Sequence, residues 1–198
     1  MMDFTGAARK IEPSEIDSIA NDLGVEPAAF RAVIAVEAAG SGFDKAGRPK
    51  ALFERHHFYK HLKDTPGLLA NAEAAGLAYP KWGTTPYPKG SDAVYAEIIR
   101  ACAIEEEAAL LSTSWGLGQI MGSNYKLAGC NSVHEMVSEA CESEAGQLRQ
   151  MASFIKKAGL LDELVAKNWA GFAKGYNGPQ YAKNQYDQKL AAAYTKFA

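Results

Sequence analysis

The sequence predicts a mainly α domain with a minor β element, and three observations carry that prediction. Apolar residues recur at helical spacing through alanine-rich stretches. Glycines and prolines punctuate those stretches where helices would end or begin. Only residues 42–55 break the pattern, towards a turn between short extended runs. The chain has 198 residues, 47% hydrophobic and 22% charged, which suits a single ordered domain spanning 1–198 with its own core.

The elements follow in chain order. Pro13, Ser14 and Glu15 open a first helix, which Gly24 closes. Pro27 sits in the first turn of a second helix running to about Ala39, before Gly40 and Gly42. Lys45 to Pro49 form a turn between Gly42-Phe43-Asp44 and Ala51-Leu52-Phe53, giving a small β-hairpin arm. Residues 64–90 carry Pro66, Pro80, Pro86 and Pro88, several tyrosines and Trp82. They read as a long irregular insertion around a short helix from Leu68 to Ala75, and loops of that length are usually functional. Ser91 and Asp92 cap a long helix through about Leu111. A glycine-rich segment from Ser114 to Gly122 follows. Helices over about 133–141, 144–158, 162–167, 171–176 and 182–197 complete the chain.

Bulk properties exclude several classes. The formal net charge is −2, without the basic excess of a nucleic-acid binder. Cys102, Cys130 and Cys141 are odd in number and fit no zinc or redox spacing, so they read as reduced, partly buried thiols. The N-terminus lacks the features of a secretory signal, and no apolar run approaches a membrane span of roughly 20 residues. Lys183, Lys189 and Lys196 lie near Tyr186, Leu190 and Tyr194, and read as one face of an ordinary surface helix.

Glu37 is the most informative residue. Phe30, Val33, Ile34 and Glu37 fall at i, i+3, i+4 and i+7 and share one helix face. Three are apolar, so the carboxylate points where a core should be. Burial disfavours the anion, and so do the unpaired carbonyls of the last helical turn. Both effects favour an acid that keeps its proton, as a glycosidase needs to protonate a leaving oxygen. Spacing alone leaves a second reading open: a rim glutamate paired with Arg48 or Arg55.

Three segments in order resemble the lysozyme-like fold of goose-type lysozymes and lytic transglycosylases. They are Val36-Glu37-Ala38-Ala39-Gly40-Ser41-Gly42, Gly116-Leu117-Gly118-Gln119-Ile120 and Tyr176-Asn177-Gly178. The chain is more closely similar to the N-acetylmuramidase family of phage endolysins. Leu52-Phe53-Glu54-Arg55-His56 resembles that family's LFERH segment, and Ser114 to Gly122 its SWGxxQIMG segment. Phe172 to Tyr181, with Lys189-Leu190-Ala191, resembles its YNGPxY…KLA ending. The likeness spans about Pro27 to Tyr194. Many members carry a wall-binding domain ahead of the catalytic one. With 36 residues before Glu37, the single-domain form is expected here.

The resemblance implies cleavage of the β-1,4 bond between N-acetylmuramic acid and N-acetylglucosamine in peptidoglycan strands. It places the catalytic glutamate on Glu37. Glu54 is the candidate second carboxylate, with Asp44 as a rival. The alternative is that Glu54 pairs with Arg55 or a histidine and holds the arm. Gly118 allows a ligand close to the main chain, and Gln119 can donate and accept towards an acetamido or hydroxyl group. Trp115 is expected in the core. Tyr176 and Asn177 are placed near the acid by the resemblance, although Asn177-Gly178-Pro179 would also serve as a helix stop. Trp82, with Tyr79 and Tyr87, suits a saccharide platform or a locally packed loop. His57 and His61 are four apart, yet no third group has ligand spacing. The expectation is no metal and no cofactor, with a histidine such as His57 lining the cleft or binding Glu54.

Three rival readings share these motifs. A lytic transglycosylase would cut the same bond and form a 1,6-anhydro product. A non-catalytic wall-binding module would have no use for Glu37. A delivered toxin would use the same chemistry. The partners expected are glycan strands, without nucleic acid or stable membrane insertion, for a monomer. It would accumulate in the host bacterial cytoplasm and reach the periplasm and wall through a pore made by another protein.

Overall fold

A computed structural model describes residues 3–38 and 40–198; Met1, Met2 and Ala39 lie outside the described residues, so the expected helix end at Ala39 does too. The fold is mainly α with one small sheet. Helix α1 spans Pro13–Leu23 and α2 spans Pro27–Glu37, each with proline at its start, where the missing N–H is no loss. Gly24 ends α1 in the left-handed region, at φ 80°. Helix α3 covers Arg55–Leu62 and α4 covers Pro66–Ala74, inside the proline-rich insertion.

The long helix expected from 91 to 111 is two helices, α5 (Ser91–Cys102) and α6 (Glu106–Leu111). The break has a local cause: the Glu105 side chain accepts the Ala108 N–H and starts a new helix. Ser91 is not a cap either. Gly90 holds that position, and the Ser91 hydroxyl donates to Asp44 at 2.6 Å. Helices α7 (Val133–Glu142), α8 (Glu144–Lys157), α9 (Leu161–Val165), α10 (Trp169–Asn177) and α11 (Tyr186–Phe197) follow.

The sheet differs from the expected hairpin. Strand β1 (Ala51–Phe53) pairs antiparallel with β2 (Thr113–Trp115), and β2 pairs with β3 (Ile120–Met121). Within the 42–55 arm only one bridge forms, between Phe43 and Pro49. Proline has no N–H to extend that ladder, so the second half of the arm pairs with the glycine-rich segment instead. That segment, read from sequence as a wall, is therefore a tight β2–β3 hairpin.

Two hydrophobic clusters make up the core. One gathers Phe53, Phe58, Tyr95, Ile98, Leu110, Trp115 and Met136 around the sheet, α3 and α5 to α7. The other gathers Phe30, Val33, Leu148, Met151, Ile155, Phe172 and Leu190 between α1, α2, α8, α10 and α11. Trp115 is 2% exposed, stacks on Phe4 at 5.7 Å and donates its indole N–H to the Leu110 carbonyl at 3.2 Å. The three cysteines are free and buried. No helix among the described residues is long and apolar enough to cross a membrane.

Candidate active site

A cleft of about 540 Å³ opens where the two clusters meet. Ala38 and Leu117, which line it, belong to one cluster, and Val94 to the other. Glu37, Ser41, Asp44, Lys50, Ser91 and Gln119 supply its polar lining. The seam of the fold is thus the groove, and Glu37 enters it from the end of α2.

Glu37 is half-buried and pairs with neither Arg48 nor Arg55. Arg48 binds Asp44 and Asp92, while Arg55 binds Glu97, Thr85 and the Pro86 carbonyl. Glu37 pairs instead with Asn177, whose Nδ2 donates to Oε2 at 2.9 Å. Burial raises the Glu37 carboxyl above its ordinary value, and the Asn177 amide and Lys189 pull it back in part. Glu37 Oε1 and Asn177 Oδ1 are both buried without a hydrogen-bond partner among the described residues. A proton on Oε1 would turn an acceptor with nothing to accept into a donor. Asn177 Oδ1, on the residue already bound to Oε2, is an acceptor of matching chemistry.

Behind this pair stands Tyr176. Its hydroxyl donates to the Gly118 carbonyl at 3.0 Å, and its ring stacks on Phe172 at 5.5 Å. Burial and the nearby Glu37 charge both push its phenol upward, so it remains a neutral donor. Tyr176 and Gly118 therefore lock α10 to the β2–β3 hairpin and hold Asn177 beside Glu37. Gly118 approaches Met151 so closely that a Cβ would lie 3.2 Å from it. Gln119 lines the cleft, but its amide is committed: Nε2 donates to the Gly116 carbonyl at 2.8 Å and to the Lys50 carbonyl at 3.2 Å, and Oε1 accepts from the Ser114 hydroxyl at 3.0 Å.

Asp44 faces the same cleft from the arm. Its oxygens accept the Ala46 and Arg48 N–H groups, the Arg48 guanidinium and the Ser91 hydroxyl. These bonds overcome the penalty of burial and hold its carboxyl below the ordinary range. A carboxylate has about four lone-pair sites, and this one has filled them with the turn around it.

Glu54 does not line the cleft with Glu37. Its Oε2 takes the Tyr87 hydroxyl and, at 3.3 Å, His56 Nδ1, and its residue caps α3. Glu54 lies just past the end of β1, two residues after Leu52, which does line the cleft. A shallow notch beyond it holds Arg55, His56, Tyr79, Trp82 and Tyr87. Trp82 stands 70% exposed there. His57 packs edge-on against His56, with ring centroids 4.4 Å apart. Burial and neighbouring cationic groups lower it to about 4, so it is neutral. Among the described residues no group of three or more His, Cys, Asp or Glu is placed to hold a metal.

Sequence reasoning missed Ser91, Lys50 and Val94 as cleft residues. Nothing in their spacing marks them, because α5 and the arm meet only in the folded chain.

A family profile described as N-acetylmuramidase matches residues 26–198. Among solved structures, the crystal structure of the Burkholderia AP3 phage endolysin is similar, at 39% identity and a TM-score of 0.86. The match covers 96% of this chain and 72% of that one. No curated protein matches the chain.

Proposed function

The chain belongs to the N-acetylmuramidase family and is a lysozyme-type glycosidase of peptidoglycan, and from that premise we propose that Glu37 is the acid that opens its glycosidic bond. The observation that supports this most is the half-buried Glu37 carboxyl in the cleft, raised by desolvation and held by Asn177. Glu37 gives its proton to the oxygen between N-acetylmuramic acid C1 and the N-acetylglucosamine C4 carbon. The C1–O bond breaks, the leaving sugar departs as an alcohol, and positive charge develops at C1. The resulting Glu37 carboxylate then takes a proton from the water that adds to C1. The acid is restored and one water is consumed.

Two carboxyl groups line the described cleft, Glu37 and Asp44, and Asp44 has its lone pairs occupied. This favours chemistry by one acid, with Asp44 as the lock of the arm. Glu54, tied to Tyr87 and His56, holds the arm and the insertion in place. Gln119 shapes the wall through its backbone turn, and its neighbour Gly118 carries the Tyr176 bond. Trp82 is a stacking face for a sugar beyond the reacting bond. The protein acts on peptidoglycan strands as a monomer.

Glu37→Gln should lose lysis of outer-membrane-stripped cells by about 10²- to 10⁴-fold while remaining folded by circular dichroism. Glu54→Gln should keep most of its activity. A folded, fully active Glu37→Gln would refute the assignment, and a dead but folded Glu54→Gln would refute single-acid chemistry. Mass spectrometry of released fragments should show the hydrated sugar; fragments one water lighter would point to the transglycosylase reaction.

A further inference from the structure

We infer that Glu144 and Gln147, at the start of α8 and outside the cleft, are positioning residues that set its width by clamping its two walls. The inference rests on the reading of the cleft given above. The residues are three apart and share one helix face. Both are polar and buried, 6% and 2% exposed.

Glu144 holds the wall that follows Glu37. Its Oε1 accepts the Gly42 N–H at 2.8 Å and the Ser41 hydroxyl at 3.1 Å. Lys10 lies 3.2 Å from the same oxygen and also bonds Ser41. Oε2 takes the Ile11 N–H at 3.1 Å, which ties the N-terminal segment to the same carboxylate. Gln147 holds the opposite wall. Its Oε1 accepts the Leu117 N–H at 2.8 Å, while Nε2 donates to the Ala140 carbonyl at 2.8 Å and the Gly42 carbonyl at 3.4 Å. One amide thus bridges the Ser41–Gly42 turn and the Gly116–Leu117 turn.

The glycines at both places have the same cause. A Cβ on Gly42 would collide with Gln147 Oε1, and one on Gly116 would lie 2.7 Å from Gln147 Cγ. Gly116 is also in the left-handed region, at φ 68°. The two glycine-containing motifs therefore leave room for a third side chain between them. Ser41, Gly116 and Leu117 all line the cleft, so a change in the clamp moves the surface that a strand touches.

The clamp acts on binding more than on the acid, because Asn177, the partner of Glu37, comes from α10. Each clamp bond, if lost, should raise KM for soluble peptidoglycan oligomers about two- to tenfold. The test compares Glu144→Ala, Glu144→Gln, Gln147→Met and Gln147→Glu in kcat, KM, pH profile and Tm, well below the melting range. Gln147→Met and Glu144→Ala should raise KM and leave the alkaline limb of the pH profile in place. Glu144→Gln, which keeps an acceptor for Gly42, should restore most of the lost affinity. Gln147→Glu should keep an acceptor for Leu117 but set a carboxylate oxygen against the Ala140 and Gly42 carbonyls, and raise KM at least as much as Gln147→Met. Unchanged KM with only a lower Tm would overturn the inference, and so would a Glu144→Gln variant as impaired as Glu144→Ala. Should Gln147→Met fail to fold, the Glu144 pair decides alone. If Glu37→Gln kept activity, the reading of the cleft would fail instead, which distinguishes the two failures.

Discussion

Replacing Glu37 by glutamine should make the protein more stable at neutral pH while removing its activity. The wild-type carboxyl is raised by burial, and its Oε1 has no hydrogen-bond partner among the described residues. A group whose folded pKa lies above its unfolded value contributes stability that is fully present below the unfolded pKa. That contribution is lost as pH rises through the folded value. Above the ordinary carboxylate range, then, the folded wild-type protein either keeps a proton that the unfolded chain has shed or carries an unwelcome charge. Glutamine has neither problem. Its amide can accept from Asn177 Nδ2 and offer N–H to Asn177 Oδ1, which also lacks a partner. Leaving a buried polar group unsatisfied costs about 1–3 kcal/mol. For a chain of this size each kcal/mol moves Tm by roughly 2–4 °C. Thermal melts of both proteins from pH 4 to pH 8 should show the variant ahead by about 2 °C or more at pH 8. The gap should close towards pH 4. A variant that melts lower at pH 8, or a gap independent of pH, would refute the claim that Glu37 is a desolvated acid.

Three further outcomes follow from the same geometry. Asn177→Ala removes a donor that favours the Glu37 anion, so the alkaline limb of the pH–rate profile should move to higher pH, together with a lower maximal rate; a limb that stays put would remove Asn177 from the acid's control. Asp44→Asn should cost about 1.5–3 kcal/mol through the Arg48 and Ser91 bonds. Because the Asp44 pKa is lowered, that deficit in Tm should be full above the ordinary carboxylate range and fade as pH falls below it. Trp82→Ala, on a side chain 70% exposed, should change stability by no more than about 0.5 kcal/mol yet raise KM for long strands about two- to tenfold; equal KM would leave Trp82 with no part in binding.

Most helices are legible in the sequence by itself, because 3.6-residue periodicity and proline and glycine punctuation are local signals, but α5 and α6 read as one helix and α3 is not predicted. Pro13 and Pro27 start α1 and α2, and Gly24 ends α1. The sequence also singled out Glu37, because a carboxylate on an apolar face is an anomaly that spacing alone exposes. Motif order supplied the family, which the match over residues 26–198 shows.

Tertiary structure decided which polar groups remain available. Gln119 looks like a ligand-binding amide in the sequence, but the β2–β3 turn consumes its bonds. In the sequence, Glu54 is the candidate second carboxylate and Asp44 its rival. In the fold, Asp44 carries a filled set of hydrogen bonds within the cleft and Glu54 lies beyond Leu52 with Tyr87 and His56. Pairing of β1 with β2 joins residues more than fifty positions apart, and Glu144 reaches Gly42 across 102. Desolvation and hydrogen-bond partnership depend on what long-range packing brings within a few ångströms, and periodicity holds no record of that.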